Sequence, residues 1–142
     1  MPKSYEVTRS INASPEVIWR LLTDVSQYAR WNPAVVKLEG TIAVGEKLKL
    51  VSSVNAKRTF TPKVAALEPP RRMVWADGMP GGLFKGERTY TLTPESGGGT
   101  SFHMREAFTG PLSGLIAKSI PDLTDSFAAF ADGLKREAEG SS

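Results

Sequence analysis

The stretch Tyr5-Glu6-Val7-Thr8-Arg9-Ser10-Ile11-Asn12-Ala13-Ser14-Pro15-Glu16-Val17-Ile18-Trp19 changes its hydrophobic period once. Up to Ile11 the side chains alternate, with Tyr5, Val7, Arg9 and Ile11 on one face and Glu6, Thr8 and Ser10 on the other. That is the pattern of a strand. Beyond Ala13 the apolar residues Val17, Ile18, Leu21, Leu22 and Val25 recur at three and four, the spacing of a helix. The break between the two carries its own signal. Ser14 is a good N-cap, and Pro15 takes the first helical position, where its missing N–H costs nothing. Residues 26–33 then read as a second short helix or turn, which Pro33 stops by disfavouring the helical conformation at Asn32.

Outward from this opening, strands alternate with turn signals. They are predicted at residues 35–38, 47–54, 58–67, 71–77, 84–93 and 100–108. The last two form a hairpin around Pro94-Glu95-Ser96-Gly97-Gly98-Gly99. From Pro111 the period returns to three and four. Leu112, Leu115, Ile116, Ile120, Leu123, Phe127, Phe130 and Leu134 predict one long amphipathic helix to about Glu137, kinked at Pro121. Residues 140–142 read as a frayed tail, and residues 1–139 as a single domain. The order describes an α+β protein: an antiparallel sheet with a long C-terminal helix across it and two short helices after strand 1.

Composition bounds the function. A chain of 142 residues with 40% apolar and 23% charged residues buries a real core. The absence of cysteine excludes disulfides, thiolate nucleophiles and Cys-ligated zinc or iron–sulfur centres. It also accords with a cytoplasmic protein. The first residues carry no apolar core of signal-peptide length, and no stretch reaches the ~20 apolar residues of a membrane span. The net charge of +3 is scattered over pairs such as Lys47 and Lys49, Arg71 and Arg72, and Lys135 and Arg136. This pattern predicts solvated faces; no nucleic-acid partner and no stable membrane insertion are expected.

The stretch from Ile11 to Trp19, with Leu22-Thr23-Asp24 and Tyr28-Ala29-Arg30-Trp31-Asn32-Pro33, resembles the opening of SRPBCC (START/Bet v 1-like) proteins. The group it resembles is that of polyketide cyclase/dehydrase and lipid-transport proteins. Leu67-Glu68-Pro69-Pro70-Arg71-Arg72-Met73-Val74-Trp75 and Phe84-Lys85-Gly86-Glu87-Arg88-Thr89-Tyr90 resemble the same group. The resemblance implies a helix-grip fold, a seven-stranded curved sheet wrapped around the C-terminal helix with a ligand cavity between them. It supplies no universal catalytic motif to carry over, and no cofactor is expected. The chain lacks the Cys/His signature of Rieske-type oxygenases in that superfamily.

Strand alternation names the inward residues. Residues 84–93 place Phe84, Gly86, Arg88, Tyr90 and Leu92 inside, and residues 100–108 place Phe102, Met104, Glu106 and Phe108 there. The same logic turns Leu48, Leu50, Phe60, Val64, Met73 and Trp75 inward. The helix is expected to add Leu112, Leu115, Ile116, Ser119, Ile120, Leu123 and Phe127. Trp31 is read either as part of the pocket rim or as a packed anchor. One helix does not fill the concave face of a long bent sheet, and Gly86 leaves room there. A mainly apolar cavity with a few fixed polar groups is therefore expected.

Arg88 and Glu106 are those polar groups. If the hairpin pairs Leu92 with Phe102, Arg88 meets Glu106 directly across the strands. The pair reads in two ways: as a structural ion pair, or as the group that orients a ligand's polar head, with Glu106 available for acid–base chemistry. Asp77 joins them if it too points inward. His103, the sole histidine, falls on the outer face, and no metal site is expected. Asp122 and Asp125 read as solvated. Gly97 to Gly99 belong to a turn not followed by a helix, so they form no phosphate loop. Three functions remain open: a carrier or sensor of a hydrophobic small molecule (lipid, quinone or polyketide-like), a cyclase/dehydratase-like enzyme with Arg88, Glu106 or Tyr90 moving protons, and a partner-binding regulatory module.

Overall fold

The computed structural model describes residues 4–53, 55–78, 80–117 and 122–141. Strand β1 (Ser4–Ile11) leads into α1 (Pro15–Thr23), a short 3₁₀ turn (Val25–Gln27) and α2 (Tyr28–Trp31). The Ser14 side chain accepts the Val17 N–H and Pro15 opens α1, so the cap expected from the sequence forms. Helix α1 buries Ile18 and Leu22, one turn apart on a single face.

Among the described residues, eight strands follow the helix-grip plan in two antiparallel sheets. The larger has the order β1-β8-β7-β6-β5, using β5 (Lys63–Glu68), β6 (Arg72–Gly78), β7 (Lys85–Pro94) and β8 (Thr100–Thr109). The smaller has the order β2-β3-β4, from β2 (Val35–Glu39), β3 (Lys49–Ser52) and β4 (Asn55–Phe60). The strand count therefore differs from the single seven-stranded sheet expected. The segment read as one strand over 58–67 breaks at Thr61-Pro62, because Pro62 has no N–H to donate to a ladder. Its carbonyl accepts from Leu48, and a bridge between Lys47 and Lys63 ties the smaller sheet's lead-in to β5.

The C-terminal region also departs from the expectation of one helix. It contains α3 (Ser113–Ala117) and α4 (Thr124–Ser141). The carboxylate of Asp122 accepts the Thr124 N–H as a capping side chain does, so α4 has a start of its own. Pro121 and its expected kink lie outside the described residues. Helix α4 runs through Gly140 to Ser141, past the point where the frayed tail was expected.

Helix α4 is pinned across β1 and the α1–α2 region by polar contacts along its flank. Asp132 accepts from Arg9, Lys135 donates to the Ser10 carbonyl, and Glu139 accepts the Asn12 N–H. Arg30 grips Glu137 through both terminal nitrogens, at 2.9 and 2.8 Å. The core lies between α4 and the larger sheet. Phe127, Phe130, Ala131 and Leu134 of the helix face Val7, Tyr90, Phe102 and Met104 of the strands, all buried.

Candidate functional site

The register of the larger sheet brings one row of residues together on its inner face. Tyr5 pairs with Glu106, Glu106 with Arg88, Arg88 with Trp75, and Trp75 with Val64. The hairpin does pair Leu92 with Phe102, and two alternation steps away Arg88 meets Glu106. The Arg88 Nε donates to Glu106 Oε1 at 2.6 Å, and the two side chains are only 18% and 17% exposed. The guanidinium also lies 5.0 Å from the centre of the Phe127 ring, so α4 covers the charge with an aromatic face. Burial works against the Arg88 charge, but Glu106 and Tyr90 outweigh it and raise its pKa further above the ordinary arginine value. Burial also pushes the Tyr90 phenol up to about 12, although Arg88 pulls the other way.

Behind this pair stands a cluster of rings. Trp75 meets Tyr90 edge-on at 5.2 Å, Tyr28 lies 5.0 Å from Trp31, and Phe130 contacts Tyr28, Trp31, Tyr90 and Phe102. The Tyr28 hydroxyl donates to the Leu22 carbonyl, and burial raises its pKa well above the usual value. Other polar atoms of the cluster lack such a partner. Among the described residues, the Trp31 and Trp75 indole N–H groups, the Asn32 amide nitrogen and the Tyr90 hydroxyl are buried without a hydrogen bond. Arg88 is a donor only, so its nearness to Tyr90 leaves the hydroxyl proton with no acceptor.

A cleft of about 30 Å³ opens at the seam of the two sheets, beneath α4. Ala34, Val35, Leu50 and Ser52 of the β2–β3 side form one wall, and Leu123, just before α4, with Ser126, Phe127 and Phe130 of α4 the other. Arg88 reaches it from the larger sheet. This volume suits a water molecule or two; drug-sized ligands occupy about 300–1,000 Å³.

The structure sorts the residues named from the sequence. Leu50, Arg88 and Leu123 line the cleft. Met73, Trp75, Tyr90, Met104 and Phe108 are buried on the inner face, and Glu106 joins them through Arg88. Trp31 is buried against Tyr28 and Phe130, as a packed anchor is. Phe84, just before β7, stacks on Phe108 with ring centres 5.9 Å apart, and Phe60 is half-buried opposite Leu50. Ile116 is half-buried, but Leu115 is 69% exposed and does not face the core. The reason is that α3 is a separate short helix, so the phase of α4 does not extend back to it. Ser119 and Ile120 lie outside the described residues. Asp77 is exposed and accepts the Gly78 N–H instead of joining the pair. His103 is half-buried beside Glu6, at 3.5 Å.

Ala34, Val35, Ser52 and Ser126 line the cleft without having been singled out. The polar ones carry no apolar signal, and Val35 with Ala34 just before it stands at the start of a strand too short to show a period.

The paired sheets, the opening helices and the helix laid across them define a helix-grip protein of the SRPBCC superfamily. Within it the chain belongs to the polyketide cyclase / dehydrase and lipid transport family, whose model matches residues 2–139. Solved structures share the fold along almost the whole chain. Protein MLL2253 from Mesorhizobium loti is 21% identical, with 99% of each chain covered and a TM-score of 0.74. Truncated norcoclaurine synthase from Thalictrum flavum is 17% identical, covering 96% of this chain and 93% of its own, with a TM-score of 0.71. A START superfamily protein from Mycobacterium smegmatis is 16% identical, covering 98% and 99%, with a TM-score of 0.69. No curated protein matches the sequence. Among the described residues no helix is long and apolar enough to cross a membrane.

Proposed function

We propose that this protein holds a hydrophobic or amphiphilic small molecule (lipid, quinone or polyketide-like) between α4 and the seam of the two sheets, as a carrier or sensor in the cytoplasm. The observation that carries this reading is the Arg88–Glu106 pair, set in an otherwise greasy inner face and open to the cleft through Arg88. Leu50, Leu123 and Phe127 supply apolar wall, and the guanidinium fixes a polar end. Since the cleft is small, a ligand enters by parting the first turns of α4 from β2 and β3. The family includes both lipid transport and cyclase or dehydrase proteins, which supports an enclosed apolar ligand in either case. Glu106 is engaged by Arg88 instead of standing free as a base, and this favours holding over proton transfer.

Native mass spectrometry of the purified protein tests the reading. A co-purifying lipid-like adduct, lost on denaturation, is the expected result. A clean apo mass, with no thermal shift on adding fatty acids, quinones or polycyclic aromatics, overturns it.

A further inference from the structure

The positive charge of the chain is gathered in one segment. Residues 35–63 hold six Lys and Arg against two Glu, a net of +4, while elsewhere twelve basic residues face thirteen acidic ones. The fold brings part of this charge to the outside of the smaller sheet and its lead-in. Leu48, Leu50 and Val64 are buried, so alternation turns Lys47, Lys49 and Lys63 outward, and all three are exposed. Lys47 and Lys63 stand directly opposite each other across the antiparallel bridge, and Lys49 follows two residues on. Like charges so placed destabilise a sheet unless a counter-charge offsets them. The chain does not supply one. Glu39, across from Lys49, is engaged by Lys37 at 3.3 Å, and among the described residues none of the three lysines makes an ion pair. Apolar side chains stand out beside them. Val36, before Lys37, is 53% exposed. Val44, in the turn that leads to Lys47, is 64% exposed.

We propose that this face docks the protein reversibly on an anionic lipid bilayer, with Lys47, Lys49 and Lys63 among the lipid phosphates and Val44 in the headgroup layer. Exposed ammonium groups without fixed partners suit a diffuse layer of negative charge. Near such a surface each lysine strengthens binding by about fivefold, so three supply about a hundredfold. That is enough for a salt-sensitive encounter and too little for a permanent anchor. The exposed valines favour a bilayer over a soluble polyanion, which offers them no apolar layer. The docking stands on the charge and the valines and does not depend on the ligand-holding reading. Where both hold, it sets the outside of the cleft wall against the bilayer, because Val35 and Leu50 line the cleft while their neighbours Val36 and Lys49 are exposed.

Co-sedimentation of the whole protein with vesicles tests it. Vesicles of phosphatidylcholine with about one-third phosphatidylglycerol should bind it at low salt, and vesicles of phosphatidylcholine alone should not. Salt at about 0.5 M should weaken the binding by about tenfold or more. Lys47→Gln/Lys49→Gln/Lys63→Gln should lose about a hundredfold. A control, Arg20→Gln/Arg71→Gln/Arg136→Gln, removes the same charge from exposed positions elsewhere and should lose about threefold or less. Val44→Ser should weaken vesicle binding by about twofold to threefold. Circular dichroism verifies the fold of every variant. If neither kind of vesicle binds the protein, or both bind it alike, the proposal falls. It falls too if the two triple variants lose affinity equally. If duplex DNA or polyglutamate binds as tightly as the anionic vesicles and Val44→Ser changes nothing, the face serves a soluble polyanion and the bilayer assignment is overturned.

Discussion

Arg88 and Glu106 show how one register step shapes this protein. Opposite charges directly across two strands stabilise each other, and their remaining cost is desolvation. Removing one partner leaves the other charge partly buried and unpaired. Glu106→Gln and Arg88→Met are therefore each expected to lower stability by about 1–3 kcal/mol in urea unfolding. The double variant Arg88→Met/Glu106→Leu should lose less than the sum of the single changes; strict additivity in that cycle would show that the two side chains act independently. The aromatic neighbours give a pH dependence. Below pH 10, the ordinary value for tyrosine, the Tyr90 proton is held in both folded and unfolded chains. Between there and about 12 the unfolded chain releases it and the folded chain does not, so stability falls as pH rises. Tyr28 acts in the same direction. Urea midpoints at about pH 9 and pH 11 should show that fall, and Tyr90→Phe should reduce it.

At the scale of elements, caps and close approaches decide how the helices sit. Ser14→Ala removes the acceptor for the Val17 N–H and should cost about 0.5–2 kcal/mol, read from thermal or urea melts. Helix α4 carries two glycines with opposite consequences. A Cβ at Gly133 would come within 2.3 Å of the Trp31 carbonyl oxygen, whereas one at Gly140 meets nothing within 4 Å. Gly133 is therefore where α4 closes on the turn after α2, and alanine there must push helix and turn apart. Gly133→Ala is expected to destabilise by about 1–3 kcal/mol despite alanine's better helix propensity. Gly140→Ala should be neutral or stabilising by up to about 1 kcal/mol. Equal effects at the two sites would mean that α4 is not seated as closely as described.

For the whole molecule, the cleft lies where three parts meet: the larger sheet, the smaller sheet and the start of α4. A ligand wedged there binds the folded state alone and shifts its stability by mass action. At a hundred times its dissociation constant such a ligand adds about 2.7 kcal/mol. For a chain of this size that raises the melting temperature by about 5–10 °C, which a fluorescence-monitored melt resolves. If a ligand enters as proposed, by parting α4 from β2 and β3, amide exchange near Leu123 and Phe127 should slow on binding, while the β7–β8 hairpin stays unchanged.

Local pattern alone determined much of this protein. The switch from period two to period three and four at Ile11 to Val17, and the cap at Ser14 and Pro15, mark β1 and α1 from sequence neighbours only. Alternation along β7 and β8 put Arg88 and Glu106 on one face, and the Leu92–Phe102 pairing on which their meeting was conditional is the one the structure has. The resemblance in the opening segment and around residues 67–90 likewise pointed to the helix-grip fold. Contacts between segments far apart were decided only in three dimensions. Pro62 marks in sequence where the 58–67 stretch breaks, but only the tertiary structure sends its two halves to different sheets, β4 beside β3 and β5 beside β6. Helical periodicity from Pro111 onward does not reveal that α4 starts anew after Asp122, so it turned Leu115 inward where the structure leaves it exposed. The burial of the Trp31 and Trp75 indole N–H groups and the Tyr90 hydroxyl is likewise invisible in sequence, since a tryptophan or tyrosine says nothing of what packs around its polar end. Their burial arises from the packing of α2, β6, β7 and α4 together, which no single segment encodes.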